Sequence, residues 1–283
     1  MKKGLVMEGG AMRGIFTAGV TDVFMENGVT FDGAIGTSAG ACFGCNIKSG
    51  QVGRTLRYNK KFCTNPRYID YKNLILKGEI FSKEFCYDEL PKSLDLFDFE
   101  AFNDNPMEFY ITCTDIMTGG PVYHKCTRED SIDDLLEWIR ASAAMPMVQG
   151  IVDIGGYKLL DGGVADSVPL KHFEEIGYDR NVVILTQPID YVKRKIKYGL
   201  AASIKYRKYP NLVREMKNRH IRYNEMTEYI KDREQSGDVF VIRPDESLHI
   251  SITRDEDKIQ SVYNAGRRIG ERELEKVKIF LSK

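Results

Sequence analysis

The sequence predicts an α/β fold with a central, mostly parallel sheet flanked by helices. Short apolar runs at LVME (Leu5 to Glu8), FDGAIGTS (Phe31 to Ser38) and NVVILT (Asn181 to Thr186) read as buried strands. The first two lead through glycine-containing turns straight into helical patterns, so strand, helix, strand and helix follow one another within about fifty residues. The composition, 42% hydrophobic and 29% charged over 283 residues, is that of a globular chain and excludes a disordered, collagen-like or coiled-coil one.

After the first strand, a glycine turn opens a helix from about Arg13 to Asn27, stopped near Gly28. The second strand runs into a small-residue helix over Ala39 to Ser49. Residues Gln51 to Asn105 are mixed and mainly helical, after which strands resume at Met107 to Ile116 and Gly120 to Lys125. Ser131 caps a helix over Ile132 to Ala144 that Pro146 stops. VQGIVDI and YKLLD flank Gly155 and Gly156, a two-residue hairpin signal. A helix over Val168 to Ile176 precedes the third apolar run.

Beyond Pro188 the character changes. Ile196, Leu200 and Ile204, then Leu212, Met216, Tyr223 and Ile230, form stripes that predict two amphipathic helices. Asp238 to Pro244 reads as a last strand, and Ile259, Val262, Ile269, Val277 and Leu281 line a closing helix. The chain divides into a core over residues 4–187 and an extension over 188–283, expected to pack on the same sheet.

Charge is unevenly placed although it sums to zero. Residues 192–222 hold eleven basic side chains against the single acid Glu215. Such a block favours anionic partners and suits either a solvated helical face or one resting on an anionic membrane surface. No nucleic-acid motif accompanies it, so nucleic acid is not an expected partner. No apolar run reaches the roughly 18 to 20 residues that span a bilayer, and the N-terminus lacks a signal-peptide pattern. The six cysteines are expected as reduced packing residues in a cytoplasmic protein. Cys42 and Cys45 form CxxC, but no second pair at metal-ligand spacing accompanies it.

GTSAG (Gly36 to Gly40) fits GxSxG, a pattern that is unspecific alone but stands here between a strand and a helix, where a nucleophile elbow belongs. Flanking glycines permit the sharp turn, and the helix N-terminus offers amides to a developing oxyanion. EGGAMRG (Glu8 to Gly14) lacks the lysine of a P-loop, and Ala11 breaks GxGxxG. With the first two strands adjacent, the amides of Gly9, Gly10 and Ala11 would face Ser38 as an oxyanion hole. Arg13 would hold an anionic head group or anchor the loop. A serine needs a base. His124, His172 and His220 lie on elements that do not suit the role, and His249 follows a strand as a triad histidine would. Only 37 residues precede Ser38, however, too few for the strands that precede the elbow in an α/β-hydrolase. Asp161, in LLDGG at a strand end, is the other candidate.

In this order, GG(A)xRG, GxSxG, ASxAxP (Ala141 to Pro146) and DGG resemble the bacterial patatin-like phospholipase family over residues 4–175. The resemblance implies a three-layer patatin-like fold and ester hydrolysis of lipids by a Ser–Asp dyad. Ser38 would be the nucleophile, Asp161 the base, and the amides around Gly9, Gly10 and Ala11 the oxyanion donors. It implies neither metal nor cofactor. Glu8 stands where the family has aspartate, and Ala11 where it has a third glycine. An acyltransferase on the same dyad and a silent lipid- or protein-binding module are the alternatives. The expected location is the cytoplasm, with peripheral contact at the inner membrane surface through residues 192–222.

Overall fold

A computed structural model describes residues 1–70, 79–195, 199–250 and 252–283. Among these residues, eight strands form one sheet: β1 (Lys3–Met7), β2 (Gly33–Thr37), β3 (Glu108–Asp115), β4 (Pro121–Cys126), β5 (Val152–Ile154), β6 (Tyr157–Asp161), β7 (Arg180–Ile184) and β8 (Val239–Ile242). Their order is β5-β6-β3-β2-β1-β7-β8, with β4 also on β3. The run β3-β2-β1-β7-β8 is parallel throughout, and β4, β5 and β6 attach antiparallel.

Side-chain alternation sorts the strands onto two faces. Leu5, Met7, Ala34, Val182 and Ile184 belong to one apolar cluster, while Val6, Ile35 and Val183 belong to a second. The first cluster is covered by α1 (Gly14–Glu26), α2 (Ala39–Ser49), α3 (Arg54–Phe62), α6 (Ile132–Ser142) and α10 (Glu256–Ser282), together with the π-type α4 (Phe85–Leu94) and short α5 (Phe99–Asp104). On the other face, α7 (Leu170–Glu175) supplies Leu170 and Phe173, and the long α9 (Pro210–Gln235) supplies Ile230. The result is helices, sheet and helices in three layers.

Local chemistry explains the boundaries. Ser131 and Asp134 form a reciprocal capping box at the start of α6. Gly155 and Gly156, at φ 59° and 79°, make the left-handed turn between β5 and β6. All five stripe residues expected in the last helix are buried in α10. α9 likewise buries Leu212, Met216, Tyr223 and Ile230. The shorter α8 (Gly199–Lys205) departs from expectation: Ile204 is 58% exposed, and burial falls instead on Ala202 and on Tyr206 just past the helix. Tyr206 is held there because its hydroxyl accepts the Met147 N–H at 3.0 Å. Ile196 lies outside the described residues.

Residues beyond 188 join this architecture directly. β8 extends the sheet by pairing with β7, and α10 lies along α1, where Arg267 pairs with Glu26 and Tyr263 donates to Asp22 at 2.6 Å.

Candidate active site

Strand β3 is shared by the two elements that carry the candidate nucleophile and base. β2 pairs with Glu108 to Thr112, ending on Thr37 opposite Thr112, and β6 takes up the next residues, with Asp161 opposite Cys113. Ser38 follows Thr37, so this register alone brings positions 123 residues apart to one spot. The Ser38 Oγ donates to Asp161 Oδ2 at 2.6 Å.

Each is held by its backbone. Ser38 has φ 54° and ψ −119°, a strained conformation of the kind stored at functional turns. The turn is tight because a Cβ on Gly36 would come within 2.4 Å of the Gly40 backbone, and one on Gly40 within 2.3 Å of the Met7 carbonyl. Only glycine fits either place. The Ser38 N–H donates to Ser142 Oγ at 2.8 Å, and that hydroxyl donates to the Thr112 carbonyl at 2.6 Å, so α6 pins the elbow to β3. Asp161 turns its other oxygen to the Gly163 N–H at 2.7 Å. Burial pushes the Asp161 pKa above the ordinary aspartate range, against the pull of the Arg219 charge and of the hydrogen bonds from Ser38 and Gly163.

The glycine loop leaves β1 beside the elbow: a Cβ on Gly9 would lie 3.1 Å from the Ser38 Cβ. The Gly9 N–H donates to the Ser167 carbonyl at 3.1 Å, whereas the N–H groups of Gly10 and Ala11 have no acceptor among the described residues. Ala11 has φ 49°, a left-handed value that suits the glycine it replaces. Arg13 directs Nε toward Thr186 Oγ1 at 3.4 Å. The fully buried Glu8 ties three elements together, accepting the Thr186 N–H at 2.5 Å and the Tyr223 hydroxyl at 2.8 Å.

Ser38 stands between two spaces. On one side is an apolar cavity of about 130 Å³ that reaches past Phe43, Tyr58, Phe81, Leu90 and Ile139. On the other is an open cleft of about 1350 Å³, lined by Asp161, Arg13, Lys193 and Arg219 among others. Ala11, Ser38 and Met145 border both. None of the four histidines, His249 included, lines either space, and the hydrogen bond of Ser38 Oγ goes to Asp161. Cys42 and Cys45 face the apolar cavity, where burial pushes the Cys45 thiol up to about 11 and Cys42 higher still. Among the described residues, one group, His124, Cys126 and Asp130, gathers three ligand-type atoms within 4.8 Å. It borders neither space at Ser38.

The family model for patatin-like phospholipase matches residues 5–173. The chain belongs to the patatin-like phospholipase family. A second model, described only as a domain of unknown function, matches residues 209–282. Among curated relatives, this patatin-like chain is 28% identical to the uncharacterized protein YjjU of Escherichia coli, over 94% of its own length and 75% of that protein's. It is 26% identical to lysophospholipase nte1 of Aspergillus terreus over 97% of its length, which is only 18% of the fungal protein. Among solved structures, VipD from Legionella pneumophila aligns with a TM-score of 0.48 at 13% identity, covering 97% of this chain and 67% of that one.

Three residues at this patatin-like site were not singled out by sequence reasoning. Ser142 belongs to the ASxAxP motif, but its bridge between Ser38 and β3 depends on a register that spacing does not show. Lys193 and Arg219 were legible only as members of the basic block. Among the described residues, no helix is long and apolar enough to cross a membrane.

Proposed function

We propose that the protein is a serine acyl hydrolase that cleaves carboxylic ester bonds of lipids through a Ser38–Asp161 dyad and an acyl-enzyme. The observation that carries this reading is the 2.6 Å contact between Ser38 Oγ and a buried carboxylate, at the meeting of an apolar cavity and a polar cleft. Asp161 takes the serine proton as Oγ adds to the ester carbonyl. The N–H groups of Gly10 and Ala11 receive the oxyanion, and Gly9 contributes by seating the loop against Ser38. Collapse of the tetrahedral intermediate expels the alcohol, which recovers the proton from Asp161. The same carboxylate then takes a proton from water as it adds to the acyl-enzyme carbonyl, and returns that proton to Ser38 Oγ as the acid leaves. The acyl chain lies in the apolar cavity.

Residues 4–187 carry this chemistry in our reading, and residues 188–283 pack on them as an extension. The exposed Arg194, Lys195, Lys205, Arg207, Lys208 and Lys217 suit peripheral contact with the inner membrane surface from the cytoplasm. A fluorophosphonate probe tests the central step. It should label the wild-type protein and leave Ser38→Ala unlabelled, and labelling that persists in Ser38→Ala would refute the nucleophile.

A further inference from the structure

The cleft beside Ser38 is walled by cations that come from opposite ends of the chain. Arg13 follows the glycine loop, Lys193 lies in the segment after β7, and Arg219 projects from α9. Lys193 and Arg219 fall outside residues 5–173, so the family match does not account for them. Lys193 is buried, with its ammonium 3.9 Å from the centroid of the Tyr223 ring, and its backbone is fixed by reciprocal hydrogen bonds with Asn224 on α9 at 2.9 and 3.1 Å. Arg219 donates Nε to the Gly163 carbonyl, two residues from Asp161.

None of these three cations makes an ion pair among the described residues. The carboxylates around them are committed. Asp161 accepts from Ser38 and Gly163, and Glu8 accepts from Thr186 and Tyr223. On the rim, Asp245 is bound by Arg272, and Asp190 and Glu246 line the same cleft together with Arg194 and Lys195. Of the three, Lys193 is the buried one, held against an aromatic face but without a counter-charge, and a buried cation without an ion pair is uncommon in a folded protein and points to an ion that completes the site. Burial, with the Arg219 charge next, holds the Lys193 ammonium down to about 7, and a bound anion would restore its proton.

We infer that Arg13, Lys193 and Arg219 form a recognition site for the phosphate of a lipid head group, selecting acyl esters whose head carries net negative charge. This rests on the reading of Ser38 as the nucleophile. With the acyl chain in the apolar cavity and the ester at Ser38, the leaving side of the substrate enters the cleft where these cations converge. A guanidinium pair plus an ammonium matches a phosphate monoester or a glycerol phosphodiester. A choline head would bring its own cation into the same space and lose the advantage.

The test uses lysophosphatidate, lysophosphatidylcholine and monoacylglycerol of one acyl chain, below their micellar concentrations. Binding to Ser38→Ala is read by calorimetry, and kcat/KM is read on the wild-type protein. Lysophosphatidate should bind at least about 10-fold tighter than either competitor. That ratio should shrink at least about 5-fold in Lys193→Met and in Arg219→Gln, with the kcat/KM ratio falling in step, while Lys193→Arg retains it. Because the readout is a ratio, a general loss of activity or of folded protein does not imitate it. Equal affinity for the three lipids, or a ratio unchanged in both variants, overturns the inference. Glycerol 3-phosphate should compete only at far higher concentration; competition as strong as that of lysophosphatidate would assign the site to free phosphate esters and overturn the lipid head group. If no ester is hydrolysed but the binding preference holds, the hydrolase reading fails and the head-group site stands.

Discussion

Replacing Asp161 by asparagine separates the chemistry of the dyad from its geometry. The amide has the shape of the carboxylate, and its oxygen can keep the Gly163 N–H that now lies 2.7 Å from Oδ1. Its NH₂ then faces Ser38 Oγ across the position of the present 2.6 Å hydrogen bond. There it donates where the carboxylate accepted, so the serine keeps its proton. A positioned general base contributes about 10² to 10⁴ in rate, so kcat/KM should fall about 10³-fold, equivalent to about 4 kcal/mol of transition-state stabilisation. Stability should move the other way. Burial raises the folded-state pKa of Asp161 above 3.8, so folding favours its protonated form. The stability contributed by that group is present at low pH and lost as pH rises through the raised pKa. Above that raised pKa the ionised, desolvated carboxylate is a liability that asparagine removes, and there the midpoint of urea unfolding should stay level or rise. Turnover of a chromogenic ester and urea unfolding, measured on one preparation, decide the matter. An Asp161→Asn protein that keeps more than about a tenth of wild-type kcat/KM would refute the base assignment. In the wild-type enzyme, the same shift places the acid limb of the pH–rate profile above the ordinary aspartate range, and His249→Ala should not move it.

Four further substitutions or cuts follow from the packing. Ser142→Ala strands the buried Ser38 N–H and Thr112 carbonyl, so urea unfolding should show a loss of at least about 2 kcal/mol, with lower kcat. Gly40→Ala drives a Cβ to 2.3 Å from the Met7 carbonyl and should destabilise by about 3 kcal/mol, and a neutral result in denaturation would mean that the elbow is loose. Ala11→Gly relieves a left-handed alanine at φ 49° and should raise stability by up to about 1 kcal/mol, read as a higher thermal midpoint. A chain cut after residue 187 loses β8, α9 and α10, uncovers α1 and leaves Glu8 without Tyr223. It should lack near-ultraviolet circular dichroism and cooperative unfolding; a cooperatively folding fragment would show that the core stands alone.

Local signals in the sequence were strong where chemistry is local. The expected helix over Ala39 to Ser49 has those bounds in the structure, because glycines and small residues define both its tight start and its left-handed end at Gly50. The Gly155–Gly156 turn and the α10 stripe follow for the same reason: each is a short-range requirement on φ or on the spacing of apolar residues. Strand adjacency is different. That β1 lies between β2 and β7 is a long-range outcome, and only its first half was inferred. The π-type geometry of α4, with Pro91 inside it, left no periodic mark, although Tyr87, Leu90 and Pro91 wall the apolar cavity. In the expected stripe of α8, Ile204 is exposed, while Tyr206 just past the helix is buried and its hydroxyl accepts the Met147 N–H; spacing alone does not show that long-range partner.

The site divides along the same line. Ser38 and Asp161 were legible because each is enclosed in a glycine pattern that has a steric cause. Lys193 and Arg219 were not, since a cation on a helix or loop looks the same in sequence whether it faces water, a membrane or a cleft. What turns them inward is the anchoring of α9: Tyr223 reaches Glu8 at the end of β1, Asn224 grips the Lys193 backbone, and Arg219 lies one helical turn before Tyr223, over Gly163. The buried Glu8 therefore links the position of the extension to the loop that carries Gly10 and Ala11. On the proposed function, a shift of α9 would move Lys193, Arg219 and the loop of Gly10 and Ala11 together, and so would couple what the cleft binds to the turnover of the dyad.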